Sequence, residues 1–306
     1  MAPRVVDTPL EAEHVGPHVF PTRKYAGVLE RLLAEGWITR ADVHEPAAAD
    51  RAQLELAHTP AYLDDLGALR WTERTRDSEL PLNAPLIAAC RRAAAGTLAA
   101  ARGALEHRAA VHVGGGFHHA SAERAEGFCY INDVAVAIRV LLGEGRIERA
   151  AVVDLDVHQG NGTALIFHDD PRVFTLSLHQ EANYPSPKAQ SSLDLGLPDR
   201  IGDRAYAEAL AGALAAVWRF EPQIVIYVAG ADPYVDDQLG GLSLTFDGLE
   251  ARDRRVLEGC AERGVPVAVT LAGGYARRLE DTVRIQTQTC RIALKISGAV
   301  PASSRG

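Results

Sequence analysis

The sequence predicts an α/β domain with a central, mostly parallel β-sheet flanked by helices on both faces, and three observations lead there. From about residue 109 onward, short β-branched runs alternate with longer segments, the signature of βαβ units. The longer segments carry apolar residues at three- and four-residue spacing, as a helix packed on a sheet requires. No internal repeat or low-complexity linker interrupts the alternation, so residues 1–306 read as a single domain.

Taken in order, residues 24–35 and 85–106 form two helices within an otherwise irregular first hundred residues. Strands follow at 109–113, 150–155, 172–178, 223–228 and 265–271, where β-branched residues concentrate. Between and after them the helical spacing covers 133–143, 204–220, 246–263 and 278–296. The tail from Ser297 to Gly306 is small and polar, and is expected to fray.

Composition narrows the function classes. The 306 residues are 47% hydrophobic and 24% charged, an ordinary soluble balance. A net charge of −8 disfavours direct binding of nucleic acid, which needs a basic face. Cys90, Cys129, Cys260 and Cys290 form no C-x-x-C pair, so neither a zinc ribbon nor a disulfide framework is suggested, and a reducing compartment is the simpler setting. Neither a secretory leader nor a bilayer-spanning apolar run is present, which predicts a cytoplasmic location without a membrane span. The oligomeric state is unknown at this level.

Ligands of open parallel sheets bind outside the carboxyl ends of the strands, so the residues after each strand carry the interest. Gly114-Gly115-Gly116-Phe117-His118-His119 follow one strand and Asp154-Leu155-Asp156-Val157-His158 end the next. Ala229-Gly230-Ala231-Asp232 and Ala272-Gly273-Gly274-Tyr275 follow two more. In extended chain Asp154, Asp156 and His158 point to one side, and three polar groups there are costly unless they bind something. Asp156, His158 and Asp232 would leave open positions on a metal, as catalytic zinc sites do, and would also accept Fe²⁺. An isolated D-x-H could equally be a capping pair at a turn. Each imidazole of the tandem pair needs a partner to fix its tautomer, and Asp154 and Asn161 are available. A carboxylate raises imidazole basicity more than an amide does, so the two should differ in role. His119 is assigned as general base and His118 as its electrostatic companion. A phenol at Tyr275 could hydrogen-bond an oxyanion. No P-loop, dinucleotide fingerprint or G-x-S-x-G elbow occurs, which leaves nucleotide binding and serine hydrolysis unsupported.

Together, HVFPTRKYAGVLERLL at 18–33, GGGFHHA at 114–120, GFCYINDVAVA at 127–137, VVDLDVHQGNGT at 152–163, AGADPYVDDQLGGLSLT at 229–245 and LAGGY at 271–275 closely resemble the zinc-dependent histone deacetylase family, part of the superfamily that includes acetylpolyamine amidohydrolases. The resemblance implies an arginase/deacetylase-like fold and a hydrolase acting on acylated lysine in proteins or peptides. It makes Asp156, His158 and Asp232 the zinc ligands, His118 and His119 the tandem histidines, Asp154 the buried carboxylate behind His118, and Tyr275 the tyrosine that polarises the carbonyl. Gly127, Phe128, Tyr184 and Gly273 become the substrate tunnel. It also implies structural potassium, at Asp154, Asp156, His158 and Ser177 and around Phe167, Asp170 and Val173.

The sequence departs from the class I pattern at three places. Asn161 stands where many class I members carry aspartate. The run Asn183-Tyr184-Pro185-Ser186-Pro187 replaces a paired aromatic wall, and no acidic substrate-gripping loop is recognisable between Trp71 and Pro85. The overall pattern is most similar to the class IV and related bacterial branch, some members of which prefer long acyl chains. A binuclear arginase-type site needs D-x-H-x-D, and Gly160 stands at its last position. Hydrolysis of acetylpolyamines or other small acylated amines is the first alternative, and a non-catalytic acyl-lysine binding module is the second.

Overall fold

The computed structural model describes residues 2–299. The chain runs β1 (Val5–Asp7), α1 (Ala12–Val15), α2 (Arg23–Ala34), β2 (Val43–His44), α3 (Arg51–Glu55), α4 (Pro60–Gly67), α5 (Ala84–His107), β3 (Ala109–Val113), α6 (Asp133–Gly143) and β4 (Ala150–Asp154). It continues with α7 (Asn161–Phe167), β5 (Val173–Gln180), β6 (Leu193–Leu197), α8 (Asp203–Phe220), β7 (Val225–Val228), α9 (Phe246–Glu262), β8 (Val267–Thr270) and α10 (Leu279–Ile296). Among the described residues the strands form one eight-stranded sheet in the order β2-β1-β3-β8-β7-β4-β5-β6, and every neighbouring pair is parallel.

The central strands AAVHV, AAVVD, VIYV and VAVT are buried along their whole length, as strands covered on both faces must be. The long helix α5 lies along β1, β3 and β8 and packs on α6. A second helical layer runs α2, α10, α9 and α8 in successive contact, with α10 on β3 and α8 on β5. Caps fix the helix starts: Asn83 accepts from Leu86 N, Asn132 from Ala135 N and Thr245 from Gly248 N.

The five expected strands and six expected helices are present, with ends shifted by a few residues at most. Three strands were not anticipated. β1 and β2 are too short to show a period, and β6 is interrupted by Gly196. The expected fraying does not begin at Ser297, which is buried at the end of α10 with its hydroxyl on the Leu294 carbonyl. Residues 300–306 of that tail lie outside the described residues. No helix among the described residues is long and apolar enough to cross a membrane.

Candidate active site

The four strands whose ends carry the chemically loaded motifs, β3, β8, β7 and β4, are consecutive in the sheet. Their register sets His112 beside Thr270, Thr270 beside Val228 and Val228 beside Asp154, so the chains leave the sheet abreast. Residues remote in sequence thereby meet at one edge, the edge where such sheets bind ligands.

Asp156, His158 and Asp232 converge there, each offering an atom within 4.8 Å of the others. His158 Nδ1 lies 3.0 Å from Asp156 Oδ1 and 3.4 Å from Asp232 Oδ2. Asp156 Oδ2 accepts from Gly273 N at 2.9 Å and Asp232 Oδ1 from Val157 N at 2.9 Å. Asp232 Oδ2 is buried without a hydrogen-bond partner. A buried carboxylate oxygen left unpaired is expensive. Gly273 makes the cradle: a Cβ there would stand 2.0 Å from Asp232 Oδ2 and 2.5 Å from Asp156 Oδ2. Burial, reinforced by the Asp156 carboxylate, pushes Asp232 up to about 7. Burial works against a charged His158, but the two carboxylates prevail and raise it to about 10. A proton on His158 thus takes a place between the carboxylates that a divalent cation would take. The donor set and the unpaired oxygen fit such a cation, with Zn²⁺ and Fe²⁺ both chemically suited.

Contrary to the expectation from their spacing, Asp154, Asp156 and His158 do not point to one side of an extended strand. β4 ends at Asp154. Beyond it the carboxylates turn the chain, with Asp156 N donating to Asp154 Oδ1 at 3.1 Å and His158 N to Asp156 Oδ1 at 3.0 Å. Side-chain capping of the backbone, rather than a continued strand, brings Asp156 and His158 together.

Asp154 instead faces the tandem histidines. Its Oδ2 meets His118 Nδ1 at 2.6 Å, while His119 Nδ1 meets Asn161 Oδ1 at 2.7 Å, and the two ring centroids lie 4.1 Å apart with the rings tilted by 54°. Burial lowers the basicity of both. For His118 the Asp154 and Asp156 carboxylates override it and raise the group to about 9. For His119, burial and the positive neighbours His118 and His158 outweigh the support of Asn161 and Asp156, and it falls well below its usual value. One imidazole is held charged and its neighbour neutral. Asp133, expected at the start of a helix, and Asn132 before it, both within the GFCYINDVAVA motif but given no role from the sequence, fix this loop. Asp133 accepts from Gly116 N and Phe117 N, and Asn132 Nδ2 donates to the Ala120 carbonyl.

A cavity of about 230 Å³ opens over these groups. His118, His119, Asp156, His158, Gly127, Phe128, Tyr184, Gly273 and Tyr275 line it, whereas Asp154, Asn161 and Asp232 stand behind the lining. The Tyr275 hydroxyl makes no hydrogen bond among the described residues. Burial and the Asp156 and Asp232 carboxylates hold it protonated, raised well above the ordinary phenol range. Three groups here went unread in the sequence. Asp237 holds Tyr275 N at 2.6 Å, and also accepts from Leu239 N and Gly240 N. Lys24, fully buried, donates to the Ala272 carbonyl at 2.6 Å and sits 5.3 Å from the Tyr275 ring. Burial pulls its pKa down to about 8 against the pull of Asp232 and Asp156. Glu79, at a left-handed φ of 64°, lines the cavity within the segment where no acidic loop was recognisable.

The residues expected to hold potassium divide into two groups along β5, one at its start and one at its middle. Ser177 is paired in register with Asp154, while Phe167, Asp170 and Val173 surround the strand's start, roughly 13 Å away at ~3.3 Å per residue. At that start the Arg139 guanidinium pairs with Asp170, donates to the Ile166 carbonyl and lies 4.8 Å over the Phe167 ring.

Residues 18–290 match the family described as the histone deacetylase domain. An uncharacterized protein of Picosynechococcus sp. is 42% identical over 90% of this chain and 91% of its own length. Histone deacetylase 2 of Arabidopsis thaliana is 32% identical, with 87% of this chain and 73% of that protein covered. Among solved structures, an HDAC homolog from Aquifex aeolicus is 26% identical with a TM-score of 0.81, covering 97% of this chain and 84% of that one. An HDAC homolog complexed with SAHA is 25% identical with a TM-score of 0.79, covering 98% and 85% respectively.

Proposed function

Since the chain belongs to the histone deacetylase family, we propose that it is a zinc-dependent amidohydrolase that removes an acyl group, acetyl or longer, from the side-chain amine of lysine in a peptide or protein. The observation that carries this reading is the grouping, at the base of one cavity, of the Asp156, His158 and Asp232 cluster with a neutral imidazole and a protonated phenol.

A divalent metal held by Asp156, His158 and Asp232 would supply Lewis acidity to the amide carbonyl and lower the pKa of water. The residues of the chain do the rest. The Tyr275 O–H donates to the carbonyl oxygen as negative charge develops on it. His119, neutral and with Nδ1 engaged by Asn161, takes the proton of the attacking water on Nε2. His118, held charged by Asp154, stabilises the anionic intermediate. A histidine proton then passes to the nitrogen of the breaking amide, so the amine leaves neutral. Phe128 and Tyr184 would flank the lysine methylenes.

Beneath this site, Asp154 and Ser177, with the carbonyls of Asp156 and His158, would offer oxygen atoms to a structural potassium. Glu79 at the cavity lining gives the polyamine alternative a specific footing, because a carboxylate there would favour a cationic chain. The test is a substrate panel on zinc-loaded protein: acetyl-, octanoyl- and myristoyl-lysine peptides beside acetylputrescine. Hydrolysis of the peptides is expected. Hydrolysis of acetylputrescine alone would transfer the assignment to the alternative, and hydrolysis of none would end both.

A further inference from the structure

The segment Glu126-Gly127-Phe128-Cys129 closes on itself beside the tandem histidines. Glu126 N donates to the Cys129 carbonyl at 3.0 Å and Cys129 N returns to the Glu126 carbonyl at 2.9 Å, with Gly127 and Phe128 at positive φ. The turn is pressed against two functional rings at once, since a Cβ on Gly127 would stand 2.6 Å from His119 Cδ2 and 3.0 Å from Tyr184 Cε1. One carboxylate oxygen of Glu126 accepts twice: from Asn161 Nδ2 at 3.0 Å and from the Tyr184 hydroxyl at 2.7 Å.

An asparagine side chain has nearly the same shape either way round, and only its partners decide which end faces where. Beside His119 that choice matters. With Oδ1 toward the ring, His119 Nδ1 must carry the hydrogen and Nε2 keeps its lone pair. With Nδ2 toward the ring, the hydrogen moves to Nε2 and the imidazole can no longer accept a proton there. A carboxylate accepts and does not donate, so Glu126 admits only the Nδ2 end of Asn161 and turns Oδ1 to His119. We infer that Glu126 is a positioning residue that, through Asn161, sets the His119 tautomer with Nε2 free, and that the same oxygen anchors Tyr184 as a wall of the cavity. The inference rests on the role proposed above for His119. An aspartate at position 161 would need no such control, having no donor end to turn the wrong way.

The experiment is a set of steady-state measurements on zinc-loaded protein with an acyl-lysine peptide, together with ¹⁵N spectra of the histidine rings. Glu126→Ala is expected to lower kcat by about 10- to 100-fold, the usual cost of losing an outer partner of an active-site histidine, and to move the His119 ring signals away from the Nδ1–H form. Glu126→Gln keeps an acceptor but adds a donor end that can meet Asn161 Oδ1, so Asn161 is no longer held one way round and turnover should fall between wild type and Glu126→Ala. Tyr184→Phe removes only the wall anchor, so it should raise KM while the His119 ring signals stay in the Nδ1–H form. In an Asn161→Asp background, Glu126→Ala should cost no further turnover.

Wild-type kcat and an unchanged His119 spectrum in Glu126→Ala would overturn the inference. Glu126→Gln with wild-type kcat and an unchanged His119 spectrum would overturn it too, as would an equal loss from Glu126→Ala in the Asn161→Asp background. Should Glu126→Ala fail to fold, Glu126→Gln still decides, through its lowered turnover and shifted His119 ring signals. His119→Ala separates this inference from the reading beneath it: full activity there removes the general base itself, whereas an inactive His119→Ala beside a fully active Glu126→Ala removes only Glu126.

Discussion

The floor of the cavity stands on four adjacent strand ends, whereas its walls and rim come from loops. Floor groups such as Asp156 and Asp232 are almost wholly buried, and backbone N–H groups of the neighbouring strand ends hold them. Phe128, Tyr184 and Leu239 stand on loops and are partly exposed, and Glu79 is exposed. Buried charges tolerate no loose geometry, while apolar walls can be exchanged at modest cost. The floor should therefore determine whether an amide is cleaved, and the walls which acyl amine enters.

Substitutions that separate the two regions should grade accordingly. Asp232→Ala is expected to abolish both metal retention after dialysis and turnover; full metal content would contradict its place among the ligands. His119→Ala should lose about 100- to 10,000-fold in kcat, the usual worth of a general base, read by peptide hydrolysis with excess zinc present. Replacing Tyr275 with Phe removes one oxyanion donor and should cost ~100- to 1000-fold. Unchanged turnover would take the phenol out of the mechanism. On the walls, Phe128→Ala should leave kcat for the acetyl substrate nearly intact but shift the octanoyl-to-acetyl ratio by about tenfold, the scale of small apolar pocket changes. A floor-sized loss there would erase the distinction. The smallest effect is expected at the rim, where Glu79→Gln should raise KM for basic peptides by roughly 2- to 5-fold, as exposed charges do.

The same division governs what could be read from the sequence. Asp156, His158, Asp232, the tandem histidines and Tyr275 were legible because each follows a strand whose apolar run is visible, and the four strands prove adjacent. The partners Asp154 and Asn161 were legible as the two groups able to fix two imidazoles. The reason given for the D-x-D-x-H stretch failed, because Asp154 and Asp156 turn the chain rather than alternate along a strand. Asp133, Asp237 and Lys24 were missed since each acts through a contact across the fold that no local spacing announces. Glu79 was missed for a different reason: one carboxylate in a polar loop gives no pattern until the loop is folded over the cavity.

The central claim, one divalent metal held by Asp156, His158 and Asp232 and required for amide hydrolysis, is tested most directly by titrating zinc into metal-free protein while following an acyl-lysine peptide. Turnover should rise linearly and level off at one equivalent per chain. In the metal-free protein Asp232 is raised to about 7 and His158 to about 10, so protons compete for the site. Binding should therefore release protons and weaken as pH falls below about 10, more steeply below about 7. A plateau at two equivalents, or equal hydrolysis before zinc is added, would contradict the account.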